Sequence, residues 1–400
     1  MAALELRPAD PASSEVATAT LSDRVVSVDA LRGFDMFWII GADALVTSLH
    51  KIDAINKLPV VETLVEQLEH VAWEGFHFYD LIFPLFVFLM GVSTVFSLDK
   101  IRDRHGSAAA YRRVVRRGLV LILLGIVYYG ALQRDPNGPE QYRFVGVLQR
   151  IGVCYLCGGL LYLTFRLPGL IASIIVLLLG YWALLAFVPV PDIGAGVYDE
   201  GKNLTNYIDM HYLPGYKWDG KWDPEGLLSH LPAVASGLLG IFAGLIIARP
   251  QIKPYSKVGY LALLGLGCLG LGLVWAGHFS QIPLPAKLIF PVIKKLWTSS
   301  YVLVAGGCSY LLLALFYLVI DIWKFGIWSR PFVWIGLNPI TIYMLDNLFG
   351  GYGSLVRRVL HQPLLSHFAP YDSLIVATLG LILAVTICWW LYARRIFVRV

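Results

Sequence analysis

Residues 70–84 read HVAWEGFHFYDLIFP. Two histidines, His70 and His77, a tryptophan, Trp73, and two carboxylates, Glu74 and Asp80, stand where a long apolar run begins. Asp80 lies inside that run. An ionised side chain is costly at membrane depth, so it needs a partner, and histidine or arginine is the natural one. An aspartate–histidine pair orients the imidazole and raises its basicity, as general-base chemistry requires. The competing reading leaves both histidines in a wet interfacial loop. Other polar residues interrupt apolar runs too. Asp29, Arg32, Asp35 and Asp43 lie along the first run, with Asp35 and Asp43 eight residues apart and so on roughly one helix face. That pattern suggests a polar interior path, although Asp29 and Arg32 also suit an interfacial helix start.

Three further segments carry chemistry. GVLQRIG at 146–152 sets Arg150 at a helix start, where a guanidinium binds phosphate, pairs with a membrane carboxylate, or merely marks the interface. The loop 190–226 is rich in Tyr, Trp and acids, among them Trp222, Asp223 and Glu225. Aromatic faces beside carboxylates suit a sugar or a cation, and an interfacial aromatic belt has the same composition. GLNPI at 336–340 places an amide and a proline inside an apolar run. Proline opens the helical hydrogen-bond ladder, and broken membrane helices line cavities, which makes Asn338 a candidate pocket residue.

The elements that must position these groups are helices in lipid. Of 400 residues, 57% are hydrophobic and 15% charged, against about 25% charged in soluble domains. Runs of about 20 apolar residues, the span of a bilayer core, recur near 31–49, 78–98, 117–133, 146–165, 169–189, 227–247, 257–277, 299–320, 331–349 and 372–393. The expected fold is therefore all-α, a polytopic membrane helix bundle of about ten transmembrane helices. With the N-terminus cytoplasmic, 19 of the 32 Lys and Arg residues fall on the inner side, many of them in the basic loop 99–117, and both termini are expected there. That rule accounts for the net charge of +5 without nucleic acid. No signal peptide is expected. Residues 1–22 read as a disordered cytoplasmic tail, and 23–400 as one transmembrane domain with the outer loop 190–226. The five cysteines all fall in apolar segments. Cys154 and Cys157 lack a matching pair, so no metal site is expected.

Taken together, SVDALRGFDMF (27–37), HVAWEGFHFYDLIFPLFVFLMG (70–91), GVLQRIGV (146–153), WDPEGLL (222–228), KKLWTSSYVL (294–303) and GLNPITIY (336–343) resemble the heparan-α-glucosaminide N-acetyltransferase family and its bacterial relatives. The blocks follow the family's order and cover nearly the whole chain. The resemblance implies transfer of an acetyl group from cytoplasmic acetyl-CoA to an amino sugar across the membrane. It implies that His70 is the catalytic histidine, that Asp80 is its acidic partner, and that Arg150 and Asn338 line the same pocket. Asp43 stands where relatives often carry Asn. The sequence lacks the large lumenal N-terminal domain of lysosomal members, so a bacterial inner-membrane enzyme acting on a periplasmic amino sugar is the expectation.

On this reading Asp43, Trp73, Glu74, Asn338, Trp222, Asp223 and Glu225 serve the acceptor. The phosphates of CoA dock among Arg112, Arg113, Arg116 and Arg117, with Arg32 and Arg150 completing the cofactor set. His70 either takes the amine proton in direct transfer or first accepts the acetyl group itself. The expected partners are acetyl-CoA, an amino-sugar or glycan acceptor, the lipid bilayer and, by resemblance, a second copy in a homodimer. The rivals are a proton-coupled secondary transporter relaying through Asp35, Asp43 and Asp80, and an O-acyltransferase of a glycan.

Overall fold

The computed structural model describes residues 25–52, 58–131, 142–279 and 285–398; the expected tail at 1–22 lies outside them. The described residues form helices and three isolated β-bridges, with no strand among them. Seven helical segments are long and apolar enough to cross a membrane: Phe78–His105, Val147–Thr164, Leu167–Phe187, His230–Ala248, Pro254–Trp275, Ser299–Ile322 and Asp372–Ala393. The remaining expected runs are helical as well, but shorter, kinked or more polar.

The first run is broken into α1 (Val26–Phe37) and α2 (Asp43–Leu49) by a π-helical turn, where Gly41 takes φ 131°. A short α3 (Pro59–Leu68) leads to the site block, and α4 (Phe78–His105) crosses the whole molecule. The basic segment 99–117, expected as a loop, is instead helical. It forms the end of α4 and the start of α5 (Ser107–Ile126), and the chain turns only at Gly106, with φ 81°. A helix satisfies its own backbone in water and in lipid alike, so it need not stop where the apolar run does. Next come α6 (Val147–Thr164), α7 (Leu167–Phe187), α8 (Leu204–Tyr212), α9 (His230–Ala248), α10 (Pro254–Trp275) and α11 (Ser299–Phe316). The GLNPI run is interrupted as expected. α12 (Arg330–Leu337) ends and α13 (Pro339–Phe349) begins at Asn338, whose φ/ψ of −133°/44° lie outside the helical region. The proline ring disfavours helical geometry at the residue before it. The short α14 (Tyr352–Leu360) and α15 (Gln362–Ser366) precede α16 (Asp372–Ala393).

α4 and α9 form the buried centre, and glycines let their backbones touch. A Cβ on Gly91 would stand 2.0 Å from the Gly237 carbonyl oxygen, and one on Gly240 would stand 1.9 Å from that of Phe88. α1 and α12 cross equally closely at Gly33 and Gly336. Between helices already surrounded by lipid there is little hydrophobic gain to be had, so close van der Waals contact through small residues supplies the attraction. α7 and α10 lie outermost, with Ile175, Val176, Leu263 and Leu266 exposed; this surface suits lipid rather than water.

The loop 190–226 is folded rather than extended. Its buried polar residues Asn203, Asn206, Asp209 and Asp223 pair internally or with Arg143. Asn203 caps α8 by accepting from the Asn206 N–H at 2.9 Å. A second, smaller core of Tyr181, Leu185, Phe290, Ile293 and Leu296 fixes the segment that precedes α11.

Candidate active site

Asp80 serves two elements at once. Its Oδ2 accepts from the His77 N–H at 3.0 Å and so caps α4, while its Oδ1 lies 2.9 Å from His70 Nδ1. The carboxylate is buried and the imidazole is half exposed, at 51%. An ionised carboxylate only accepts, so the His70 Nδ1 carries the hydrogen and the Nε2 lone pair is left for chemistry. This matches the expected aspartate–histidine pair.

A third member comes from 224 residues further along the chain. Lys294 Nζ stands 3.2 Å from Asp80 Oδ1, 2.8 Å from His70 Nδ1 and 3.1 Å from His70 Nε2. Its position is set by backbone pairing: Glu74 bridges Ile293, and Gly75 N–H donates to the Val292 carbonyl at 2.9 Å. Burial pulls the Lys294 ammonium below its ordinary pKa, and the Asp80 carboxylate opposes that. Sequence reasoning missed Lys294, and its one signal was its place at the head of the KKLWTSSYVL block. Tyr301, from the same block, donates to the Asp80 carbonyl at 2.7 Å.

His70 and Lys294 open on a cavity of about 210 Å³ that Tyr79, Phe86, Glu225 and Tyr343 also line. Asp43 joins through Tyr79, whose hydroxyl donates to Asp43 Oδ2 at 3.1 Å and whose ring lies 4.8 Å from that of His70. Glu225 is held by Arg143 through Oε2, and burial pushes its pKa up. Arg143 already makes a bidentate pair with Asp223 at 2.8 and 2.7 Å. Asp223 thus holds the loop together and does not face the cavity. The Arg143 guanidinium keeps its pKa down despite burial.

Other expected acceptor residues lie elsewhere. Trp73 and Trp222 pack edge-to-face at 5.8 Å, and the Trp73 indole N–H donates to the Tyr198 carbonyl, so both rings brace the loop 190–226. Glu74 uses its backbone in the bridge and turns its side chain to solvent. Asn338 spends its amide on the C-terminal segment: Nδ2 donates to the Ile396 carbonyl at 3.0 Å, and Oδ1 accepts from Val398 N–H at 2.9 Å. Its neighbours Leu337, Pro339 and Ile340 line a cavity instead. Arg150 is fully buried, donates to Ser229 and to the Pro224 carbonyl, and lies 4.6 Å over the Trp297 ring. That position braces the site from within the bundle.

A larger cavity, about 870 Å³, opens at the other end of α4. Arg32, Lys100, Arg104, Arg113 and Arg117 line it, with Asp29 and Asp103. Arg113 and Arg117 are one turn apart on α5 and face inward, each with a buried Nε that has no hydrogen-bond partner. Arg112 and Arg116 lie on another face of the same helix and are exposed. A helix turns about 100° per residue, so Arg112 and Arg116 stand about 100° around α5 from Arg113 and Arg117 and face a different wall. Phe86, Ile151 and Ile340 line both cavities, which are therefore neighbours across these three side chains.

The fold and site define an integral membrane protein with a His–Asp–Lys centre at one end of a crossing helix and a cationic cavity at the other. A model of the heparan-alpha-glucosaminide N-acetyltransferase catalytic region matches residues 24–197. The Homo sapiens protein named heparan-alpha-glucosaminide N-acetyltransferase is 29% identical over 389 residues, covering 83% of this chain and 56% of that protein. Its Mus musculus counterpart is 28% identical over the same shares. The chain thus spans little more than half the length of these relatives. Both kinds of match support assigning the chain to the heparan-α-glucosaminide N-acetyltransferase family.

Proposed function

We propose that the protein is a membrane-embedded acetyltransferase that carries an acetyl group from acetyl-CoA, bound at the basic end of α4, to an amino sugar at the His70 end. The observation that carries this reading is that the His70 cavity and the basic cavity share a wall at Phe86, Ile151 and Ile340. His70 and Lys100 are 30 residues apart in sequence, and the helix between Asp80 and Lys100 alone spans about 30 Å, a bilayer core. In this proposal ten helical segments of a single domain cross a bacterial inner membrane, both termini are cytoplasmic, and the acceptor approaches from the periplasm. The basic residues at the α4–α5 turn support that orientation.

The CoA phosphates pair with Arg113 and Arg117, the two arginines of α5 that line the larger cavity. The pantetheine arm runs past Phe86 and brings the thioester to His70. Asp80 holds the His70 Nδ1 hydrogen and leaves Nε2 as the base. In direct transfer Nε2 takes the proton of the attacking amine; in the two-step route Nε2 itself attacks and carries the acetyl group. Intersecting initial-rate patterns indicate the first route and parallel ones the second. Glu225, which lines the His70 cavity and holds Arg143 through Oε2, is the carboxylate we assign to the acceptor's ammonium.

The test is thiol release from acetyl-CoA with glucosamine, using purified protein in detergent. Wild type releases CoA, and His70→Ala lowers the rate by at least about 10²-fold while retaining CoA binding. Equal rates in the two proteins reject the assignment. CoA binding without transfer to any amine moves the acceptor to a glycan hydroxyl. No CoA binding at all favours proton-coupled transport, for which the buried, unpartnered Asp35 carboxyl would be the first candidate.

A further inference from the structure

We infer that Lys294 is a catalytic residue of this site: its ammonium, held beside Asp80 and against the His70 imidazole while the site is empty, donates to the acetyl oxygen as the tetrahedral oxyanion forms. The inference rests on the acetyltransferase reading. It starts from where the hydrogens must be. The His70 Nδ1 hydrogen is committed to Asp80 at 2.9 Å, and Lys294 Nζ, at 2.8 Å from Nδ1 and 3.1 Å from Nε2, lies against the imidazole rather than on either lone pair, with Asp80 Oδ1 at 3.2 Å as its acceptor. Nε2 therefore stays open as the base, while the Lys294 ammonium keeps N–H groups to donate. It lines the same cavity as His70, on a side chain still 21% exposed and so able to move.

The reaction gives it a destination. In direct transfer the amine lone pair forms the N–C bond, and the carbonyl π pair moves to oxygen, where Lys294 Nζ–H stabilises it. His70 Nε2 takes the proton shed by nitrogen. The carbonyl re-forms, the C–S bond breaks with its electrons on sulfur, and the proton passes from His70 to the thiolate, giving amide and CoA thiol. In the two-step route the same oxyanion forms twice, so the demand on Lys294 is unchanged. The charged and titratable groups facing Lys294 are His70 and Asp80, with Tyr79 and Glu225 on the cavity wall and Lys295 beside it in the chain. Asp80 keeps the ammonium charged, and burial works against the charge. Partial desolvation is what makes a donor effective toward a developing oxyanion.

The competing role is structural: Lys294 would only neutralise buried Asp80. Kinetics of Lys294→Met and Lys294→Arg in full-length protein separate the two. Removal of an oxyanion donor costs about 10²- to 10³-fold in kcat. Lys294→Met is expected to show that loss with the KM for acetyl-CoA within about threefold of wild type. Lys294→Arg keeps the charge beside Asp80, recovers part of kcat and moves the alkaline limb of the pH–rate profile upward, because guanidinium does not titrate there. A Lys294→Met kcat within about threefold of wild type overturns the inference. So does an unshifted alkaline limb in Lys294→Arg, which decides the matter if Lys294→Met does not fold. A wild type with no His70-dependent thiol release defeats the acetyltransferase reading instead.

Discussion

Replacing Arg117 by Gln tests which face of α5 meets the cofactor. The Arg117 guanidinium lies 4.8 Å over the Tyr155 ring, lines the larger cavity and has a buried Nε without a partner. If a CoA phosphate accepts from it, the variant loses a hydrogen bond between charged groups, about 1.5–3 kcal/mol. At about 1.4 kcal/mol per tenfold, the Kd for CoA rises about 10- to 150-fold. Arg113→Gln, one turn away on the same wall, is expected to behave alike. Arg112→Gln removes the same charge from an exposed position, where salt screens it, and is expected to change Kd less than about threefold. Calorimetric titration of CoA into the detergent-solubilised protein measures all three, at low salt and at about 0.3 M. A loss in Arg112→Gln equal to that in Arg117→Gln would refute the reasoning, since a general electrostatic effect of the basic turn would then explain binding without the cavity.

Two further outcomes follow from the fold. Gly240→Leu forces a side chain into a space where the Cβ alone would stand 1.9 Å from the Phe88 carbonyl oxygen, so thermal unfolding in detergent is expected to show a loss of about 3 kcal/mol or more. Gly267→Leu, on the open side of α10 with nothing within 4 Å of its Cβ, is expected to leave the unfolding temperature nearly unchanged. Asp209, in the loop 190–226, has its carboxyl pushed up to about 6 by burial, against the Leu227 N–H that steadies its charge. A carboxyl raised in the folded state stabilises the fold below its unfolded pKa of 3.8, and that contribution disappears as pH rises through about 6. Its ceiling is about 3 kcal/mol. Hydrogen exchange of residues 190–226 is therefore expected to slow between pH 7 and pH 5 in wild type. In Asp209→Asn that part of the dependence vanishes, and an unchanged profile would dismiss Asp209 as its source.

The sequence alone was enough to indicate helices in lipid, because apolar runs of bilayer length and the need to satisfy every backbone group leave little else. The Asp80–His70 pair was also legible, since both residues lie in one short block and a carboxylate at membrane depth demands a nearby partner. The break at Asn338 followed from Pro339, a purely local effect. The expected loop at 99–117 was misjudged because charge was taken as a helix end, whereas hydrogen bonding sets where helices end.

What the tertiary structure decided lies beyond that range. Lys294 meets His70 only because a bridge at Glu74 and Ile293 joins segments far apart in the chain. Four arginines in one run divide into two that face a cavity and two that do not, because α5 packs on α6 with one side inward. Asp223 and Asn338, alike in the sequence to groups that would touch a ligand, spend their polar atoms on Arg143 and on the chain's own C-terminal segment. Residue type and spacing determine which groups can do chemistry; which of them face a shared space is set by packing between distant segments, and local sequence carries no record of it.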